Sequence, residues 1–132
     1  MDNRILRRLI RRAFRELRKD GLICCENFAC CTTCASSEIS DILDENPGAL
    51  GAVSWNSQDE DDLRKTGRVM IGFLSSKDDP LLQVQVGLRA AQAFRDAGLE
   101  AIWDESPGRK IEIMLPRNAN PKIKLKNSRR KP

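Results

Sequence analysis

The sequence predicts an α/β domain in which a mixed sheet of about five strands is layered with helices and ends in an antiparallel hairpin. Three observations support this fold class. Apolar residues recur at helical spacing in three stretches, short apolar runs lie between the predicted helices, and glycine or proline marks most of the boundaries. Helices that alternate with strands are typical of layered α/β domains. We expect one such domain over residues 1–116 and a flexible basic tail over residues 117–132.

The first predicted element is an amphipathic basic helix over residues 1–20. Its apolar residues fall on one stripe: Ile5, Leu6, Leu9, Ile10, Ala13, Phe14 and Leu17. Arginines fill the opposite side, and Gly21 is a helix stop.

Two strand–helix pairs are predicted next. The apolar run at 22–28 is predicted as a strand, 31–45 as a helix that the Asn-Pro-Gly turn ends, and 49–55 as a second strand. Asn56 or Ser57 is predicted to cap the helix that follows.

The last part of the chain predicts a strand, a long helix and a hairpin. The strand at 68–76 leads into a helix that begins near Asp79 and Pro80 and ends before Gly98. Its predicted apolar stripe is Leu81, Val84, Leu88, Ala91 and Phe94. We expect a right-handed parallel crossover to a strand at 99–104, which pairs with a strand at 110–115.

Charge is distributed unevenly along the chain. The net charge is +4, but residues 1–20 hold eight Lys or Arg against three acids, and residues 116–132 hold seven and no acid. An anionic partner, either a protein or a nucleic acid, would fit these basic ends, and a solvated helix face is the plainer alternative. The predicted contacts to such a partner are Arg8, Arg12, Lys124, Lys126, Arg129 and Arg130.

The sequence also indicates the cellular compartment. No apolar run reaches the ~20 residues of a membrane span, and arginines interrupt the N-terminal apolar residues, so neither a span nor a secretory signal is expected. We therefore expect a cytoplasmic protein with reduced thiols. An odd number of cysteines, five, agrees with thiols that are free or bound to metal.

All five cysteines lie in the segment CCENFACCTTC, residues 24–34. Zinc takes four thiolate or imidazole ligands, and the chain has no histidine. In a strand, Cys24 and Cys25 point to opposite faces, so only one of them can join a site. We expect Cys24 to be core, and the predicted zinc ligands are Cys25, Cys30, Cys31 and Cys34.

Thiol exchange and simple packing are the alternatives for this segment. Cys31 and Cys34 lie three residues apart at a predicted helix start, where the helix dipole lowers the pKa of a thiol. In an oxidoreductase or redox sensor, Cys31 would be the nucleophile and Cys34 the resolving thiol. Cysteine also packs as a small hydrophobic residue.

Other chemistry has little support. Without histidine, no Ser-His or Cys-His pair can form. The acidic run 59–62 is predicted to be a solvated helix face, because consecutive residues of a helix point in different directions. Trp55 and Trp103 are interpreted as packing residues.

Two short motifs resemble a family of uncharacterised bacterial proteins, many of them from actinobacteria. The matching residues are Phe28, Cys30, Cys31 and Cys34, followed by Gly98, Leu99 and Trp103. The resemblance covers roughly residues 20–116 and implies a shared fold and a functional cysteine motif, but no activity. Relatives can carry a small residue and a histidine after the last cysteine, whereas this chain has Ala35 and Ser36. If that histidine is a metal ligand in the relatives, this chain lacks one ligand of the shared site.

Taken together, these patterns favour a non-enzymatic, cytosolic binding module with a cysteine-cluster site that could hold zinc. A thiol-disulfide oxidoreductase using Cys31 and Cys34 is the alternative from another class.

Overall fold

Four helices and five strands alternate in the computed structural model, which describes residues 3–116. The helices are α1 (Arg4–Lys19), α2 (Thr32–Glu45), α3 (Ser57–Thr66) and α4 (Pro80–Asp96). The strands are β1 (Leu22–Cys25), β2 (Gly51–Ser54), β3 (Arg68–Ser75), β4 (Glu100–Ile102) and β5 (Ile111–Met114). The predicted α/β fold class is confirmed. The tail predicted at 117–132, with four of the predicted anion contacts, lies outside the described residues.

The strands form one mixed sheet in the order β1-β2-β3-β5-β4. β1 and β2 are parallel, and every other neighbouring pair is antiparallel, including the predicted hairpin of β4 and β5. The strands joined by α4, β3 and β4, run in the same direction, as expected for a parallel crossover. They are not neighbours, because β5 is inserted between them. The handedness of this crossover stays a prediction.

The main core lies between the sheet and helices α1 and α4. It contains Phe14 of α1, Ile71 of β3 and Phe94 of α4, all with no exposed surface. The α1 stripe is buried as predicted, except that Ile5 is 57% exposed and Leu9 is half-buried.

Helix α4 faces the core with small residues, and part of its predicted stripe is wrong. Leu81 and Leu88 are exposed, while Gly87 and Ala90 are buried. The Trp103 ring explains the shift, because it lies directly against Gly87 and leaves no space for a larger side chain. Small residues allow the helix to lie close to its neighbours.

The opposite face of the sheet carries α2, which packs Ala35, Ile39 and Leu43 against Ala52 in a second, smaller apolar cluster. The ends of the other helices follow the predictions. Asn56 caps α3 and forms a reciprocal capping box with Asp59. Asp79 caps α4 and Pro80 occupies its first turn.

Candidate functional site

Three thiols meet at the start of α2. The sulfur atoms of Cys30, Cys31 and Cys34 all lie within 4.8 Å of one another, and the Sγ atoms of Cys30 and Cys31 are 3.8 Å apart. Cys31 is the residue that precedes the first turn of α2, with extended backbone (φ −155°, ψ 173°). Cys30 and Cys34 are exposed, so the group is open to solvent.

The loop that carries these thiols is held by the chain around the start of α3. The Phe28 N–H donates to the Trp55 carbonyl at 2.7 Å, and the Ser57 N–H donates to the Ala29 carbonyl at 3.0 Å. Asn27 and Ala29 both adopt left-handed backbone, with φ of 45° and 67°. Left-handed backbone is uncommon outside glycine, and the two hydrogen bonds hold this loop in place.

The environment separates the pKa values of two of the three thiols. The backbone N–H of Cys34, with smaller contributions from the side chains of Cys34 and Cys30, holds the pKa of Cys31 below its usual value. The Cys30 side chain, followed by that of Cys31, raises the pKa of Cys34 to about 11. Cys31 is therefore the thiol that ionises most readily of this pair.

The other two cysteines lie on β1. Cys24 is buried, its Sγ donates to the Phe14 carbonyl, and burial raises its pKa to about 12. The expectation that Cys24 is core agrees with this position. Cys25 is half-buried, and burial raises its pKa as well. The structure does not bring Cys25 into the group of three thiols, so its predicted role as a zinc ligand stays a prediction.

The three-thiol arrangement suits a soft metal ion. Four sulfurs bound tetrahedrally at about 2.3 Å from zinc lie roughly 3.8 Å from one another. The Cys30–Cys31 separation of 3.8 Å has this value, and the third sulfur lies within 4.8 Å of both. Three protein thiolates leave a fourth position for another ligand.

The exposed side of α1 carries arginines of two kinds. Arg7 binds Glu60 and Arg11 binds Glu26, so their charges are matched. Arg8, Arg12 and Arg15 are exposed and form no ion pair within residues 3–116. Arg8 and Arg12, the predicted anion contacts, are thus cations that the described chain leaves uncompensated.

The acidic run 59–62 is only partly a solvated face, and the prediction is corrected for its first two residues. Asp59 and Glu60 are buried, while Asp61 and Asp62 are exposed. Asp59 binds Lys110 at 3.0 Å. The partners, Lys110 for Asp59 and Arg7 for Glu60, were not predicted, because they lie 51 and 53 residues away along the chain.

Glu60 is the centre of a buried polar group. It accepts hydrogen bonds from the guanidinium of Arg7, from Trp55 Nε1 at 3.0 Å and from Arg64 Nε at 3.3 Å. The Arg7 hydrogen bond holds the pKa of Glu60 below its usual value, although burial acts in the opposite direction. In the sequence, the predicted cap at Asn56 located the start of α3, but no pattern indicated that Glu60 is buried.

Comparison with known proteins gives one match. Residues 7–117 match the family model described as "Domain of unknown function (DUF6891)". No curated protein and no solved structure matches the chain. None of the helices within residues 3–116 has the length and apolar character needed to cross a bilayer.

Proposed function

The chain belongs to the DUF6891 family, and we propose that it is a bacterial, cytosolic binding module that holds a zinc ion through Cys30, Cys31 and Cys34. The observation that carries this proposal is the convergence of three sulfur atoms within 4.8 Å. Thiolates are ligands that zinc prefers, and the lowered pKa of Cys31 favours the ionised form that binds metal.

The fourth ligand defines the type of site. Cys25 lies on the strand just before the loop and would complete a structural site of four thiolates if the loop moved toward it. If Cys25 is not a ligand, water or a group from a partner occupies the fourth coordination position, as in zinc sites that exchange ligands. The second arrangement agrees better with the exposure of Cys30 and Cys34.

Elemental analysis of freshly purified protein, with a count of reactive thiols before and after denaturation, tests this function. We expect about one zinc per chain, lost in Cys31→Ser and retained in Cys24→Ala, because Cys24 lies in the core. Cys25→Ser distinguishes the two types of site, since it releases zinc only if Cys25 is a ligand. Protein without zinc, or a Cys31→Ser variant that retains it, would refute the proposal.

Thiol-disulfide exchange is the second candidate, and the opposite pKa shifts of Cys31 and Cys34 favour it. The Cys31 thiolate would attack a substrate disulfide and release one substrate thiolate. Cys34 would then lose its proton and attack the Cys31 sulfur, forming a Cys31–Cys34 disulfide and releasing the second thiolate. The substrate disulfide is reduced by two electrons as the protein dithiol is oxidised.

The Cys34→Ser variant separates the two candidates. An oxidoreductase that lacks its resolving thiol accumulates mixed disulfides through Cys31, which non-reducing electrophoresis with a disulfide-bonded peptide detects. A zinc module loses metal and accumulates no mixed disulfide. Cys25→Ser is the matched control, because it also removes one thiol but leaves the Cys31–Cys34 pair intact.

An anionic partner is proposed for the exposed side of α1. Arg8 and Arg12 are exposed, one helical turn apart and without an ion pair in the described chain. We propose that Lys124, Lys126, Arg129 and Arg130, which lie outside the described residues, are further contacts to the same partner. The apolar side of α1 is buried in the core, so α1 cannot insert into a lipid surface without leaving the fold. Of the two predicted partner classes, an acidic protein and a nucleic acid, we test a phosphate backbone first, because its binding has a characteristic salt dependence.

A further inference from the structure

A cavity of about 260 Å³ lies between α2, the sheet and the loop that precedes β5. It is slightly smaller than the roughly 300–1,000 Å³ of most ligand pockets, which favours a small ligand. None of the five cysteines lines it, so it is separate from the thiol group.

The polarity of the cavity changes from one end to the other. At one end, Ser54 of β2 pairs with Gly72 of β3. Lys110 and Thr32 line the same end and are hydrogen-bonded to each other. At the other end Ala52 pairs with Leu74, and Ile39 of α2 packs over them. Thr32 and Ile39 are seven residues apart on α2, or about 10 Å at 1.5 Å per residue. The site therefore suits a short molecule with one polar end.

The polar end carries two basic side chains, those of Lys110 and Arg109. The Lys110 ammonium donates to Thr32 Oγ1 at 2.8 Å and to Asp59 Oδ2 at 3.0 Å, which uses two of its three N–H donors. Arg109 also lines the cavity and is paired with Asp104 at 3.6 Å, and among the described residues Asp59 is the only acidic residue of the lining. One Lys110 donor is thus available to an anionic group.

Gly72 makes room for a ligand at this end. A Cβ atom built there would be 3.8 Å from Lys110 Cε and 3.7 Å from the Ser54 carbonyl oxygen. The absence of a side chain leaves the floor of the cavity open below the Lys110 stem. A methyl group would be tolerated, whereas a branched side chain would fill the space.

We propose that this cavity binds a small carboxylate with a short apolar chain. The carboxylate accepts a charge-assisted hydrogen bond from Lys110, and the chain lies along Ile39, Ala52 and Leu74. Thr32 and Asp59 hold the ammonium in position, because both bind it in the free protein.

The probe is hexanoate, added to the full-length ¹⁵N-labelled protein, with hexan-1-ol as the uncharged analogue. Amide shifts of Thr32, Ile39 and Gly72 report occupancy. We expect hexanoate to perturb these amides and hexan-1-ol to bind at least about tenfold more weakly, since it lacks the charge-assisted hydrogen bond. Lys110→Met should weaken hexanoate binding by about tenfold or more, and Lys65→Met, which removes an exposed lysine of α3, should not.

Gly72→Leu fills the cavity and should abolish binding. Three results would overturn the proposal: no perturbation of these amides by hexanoate, equal binding of hexan-1-ol, or unchanged binding to Lys110→Met. The comparison of hexanoate with hexan-1-ol on the unmodified chain decides the outcome even if a variant fails to fold.

Discussion

The guanidinium of Arg7 on α1 and the carboxylate of Glu60 on α3 bind each other through two hydrogen bonds. The Glu60 side chain is 5% exposed and that of Arg7 is 27% exposed, so the pair is largely removed from water. Trp55 Nε1 donates to the same carboxylate. This largely buried ion pair and the Trp55 hydrogen bond connect α1, α3 and the residue that follows β2.

Glu60→Gln should lower the free energy of unfolding by about 1–3 kcal/mol at pH 7, because it leaves the partly buried Arg7 without a counter-charge. The folded pKa of Glu60 is lowered, so its contribution is present above the ordinary glutamate pKa of about 4.3 and is lost as pH falls through the folded value. Urea unfolding at several pH values measures the difference, which should shrink below about pH 4.

Asp61→Asn and Asp62→Asn are the controls, since both side chains are exposed and form no ion pair within residues 3–116. Each should change the free energy of unfolding by less than about 0.5 kcal/mol. A Glu60→Gln effect that does not depend on pH would show that the charge is not the cause.

The thiols should react with iodoacetamide in a fixed order. Alkylation proceeds through the thiolate, so in protein stripped of zinc Cys31 should react faster than Cys34 near neutral pH, and the Cys34 rate should increase as the pH approaches its pKa of about 11. Cys24 should react only on unfolding, because it is buried with a pKa of about 12. Tandem mass spectrometry after timed quenching assigns each site.

Cys30→Ser should bring the pKa of Cys34 back toward its ordinary value, because the Cys30 side chain is the largest cause of the increase. Cys25→Ser should leave the Cys34 profile unchanged. Equal alkylation rates for Cys31 and Cys34 at neutral pH would contradict the separation of their pKa values.

Gly87→Ala should destabilise the protein although alanine is the better helix former by about 1 kcal/mol. The added Cβ would lie 2.5 Å from Trp103 Cη2 and 2.9 Å from Phe73 Cε2. Trp103 cannot move aside freely, since its Nε1 donates to the carbonyls of Ser106 and Arg109. Overpacking costs about 1–3 kcal/mol, so we expect a lower Tm by calorimetry.

Gly108→Ala is the control for this substitution, because no heavy atom lies within 4 Å of its Cβ position. Trp103→Leu should reduce the cost of Gly87→Ala in the double variant. If Gly87→Ala raised Tm, the contact with Trp103 would be looser than the structure shows.

Binding of oligo(dT) to the full chain should weaken with salt if α1 contacts phosphates. Each contact to a single strand contributes about 0.7 to the slope of log K against log salt concentration, so Arg8→Ala with Arg12→Ala should reduce the slope by about 1.4. Fluorescence anisotropy over a range of salt concentrations measures it. Lys65→Ala, on α3, should leave the slope unchanged, and a slope equal in all three proteins would exclude α1 as the contact surface.

Local patterns predicted most of the elements. The caps at Asn56 and Asp79 were predicted because capping depends on residues adjacent in sequence. The meeting of Cys30, Cys31 and Cys34 was also predictable, since a short loop and one helical turn connect them. In each case the interacting groups lie within a few residues of one another.

Interactions between distant segments were not predictable in the same way. Glu60 has the local signature of a solvated helix residue, and its burial depends on Arg7 and Trp55. The place of β5 between β3 and β4 likewise depends on strand pairing across the whole sheet. Whether Cys25 reaches the thiols depends on the path of the loop after β1, which periodicity does not describe.

The Phe28 N–H donates to the Trp55 carbonyl and the Ser57 N–H donates to the Ala29 carbonyl, so we expect the loop and the first turn of α3 to open as one cooperative unit. Local opening that displaces Ala29, the residue before Cys30, also breaks the hydrogen bond from the Ser57 N–H to the Ala29 carbonyl. We therefore expect a metal or disulfide at the thiols to slow hydrogen–deuterium exchange at the start of α3, which would link the chemical state of the cysteines to the opening of the neighbouring helix.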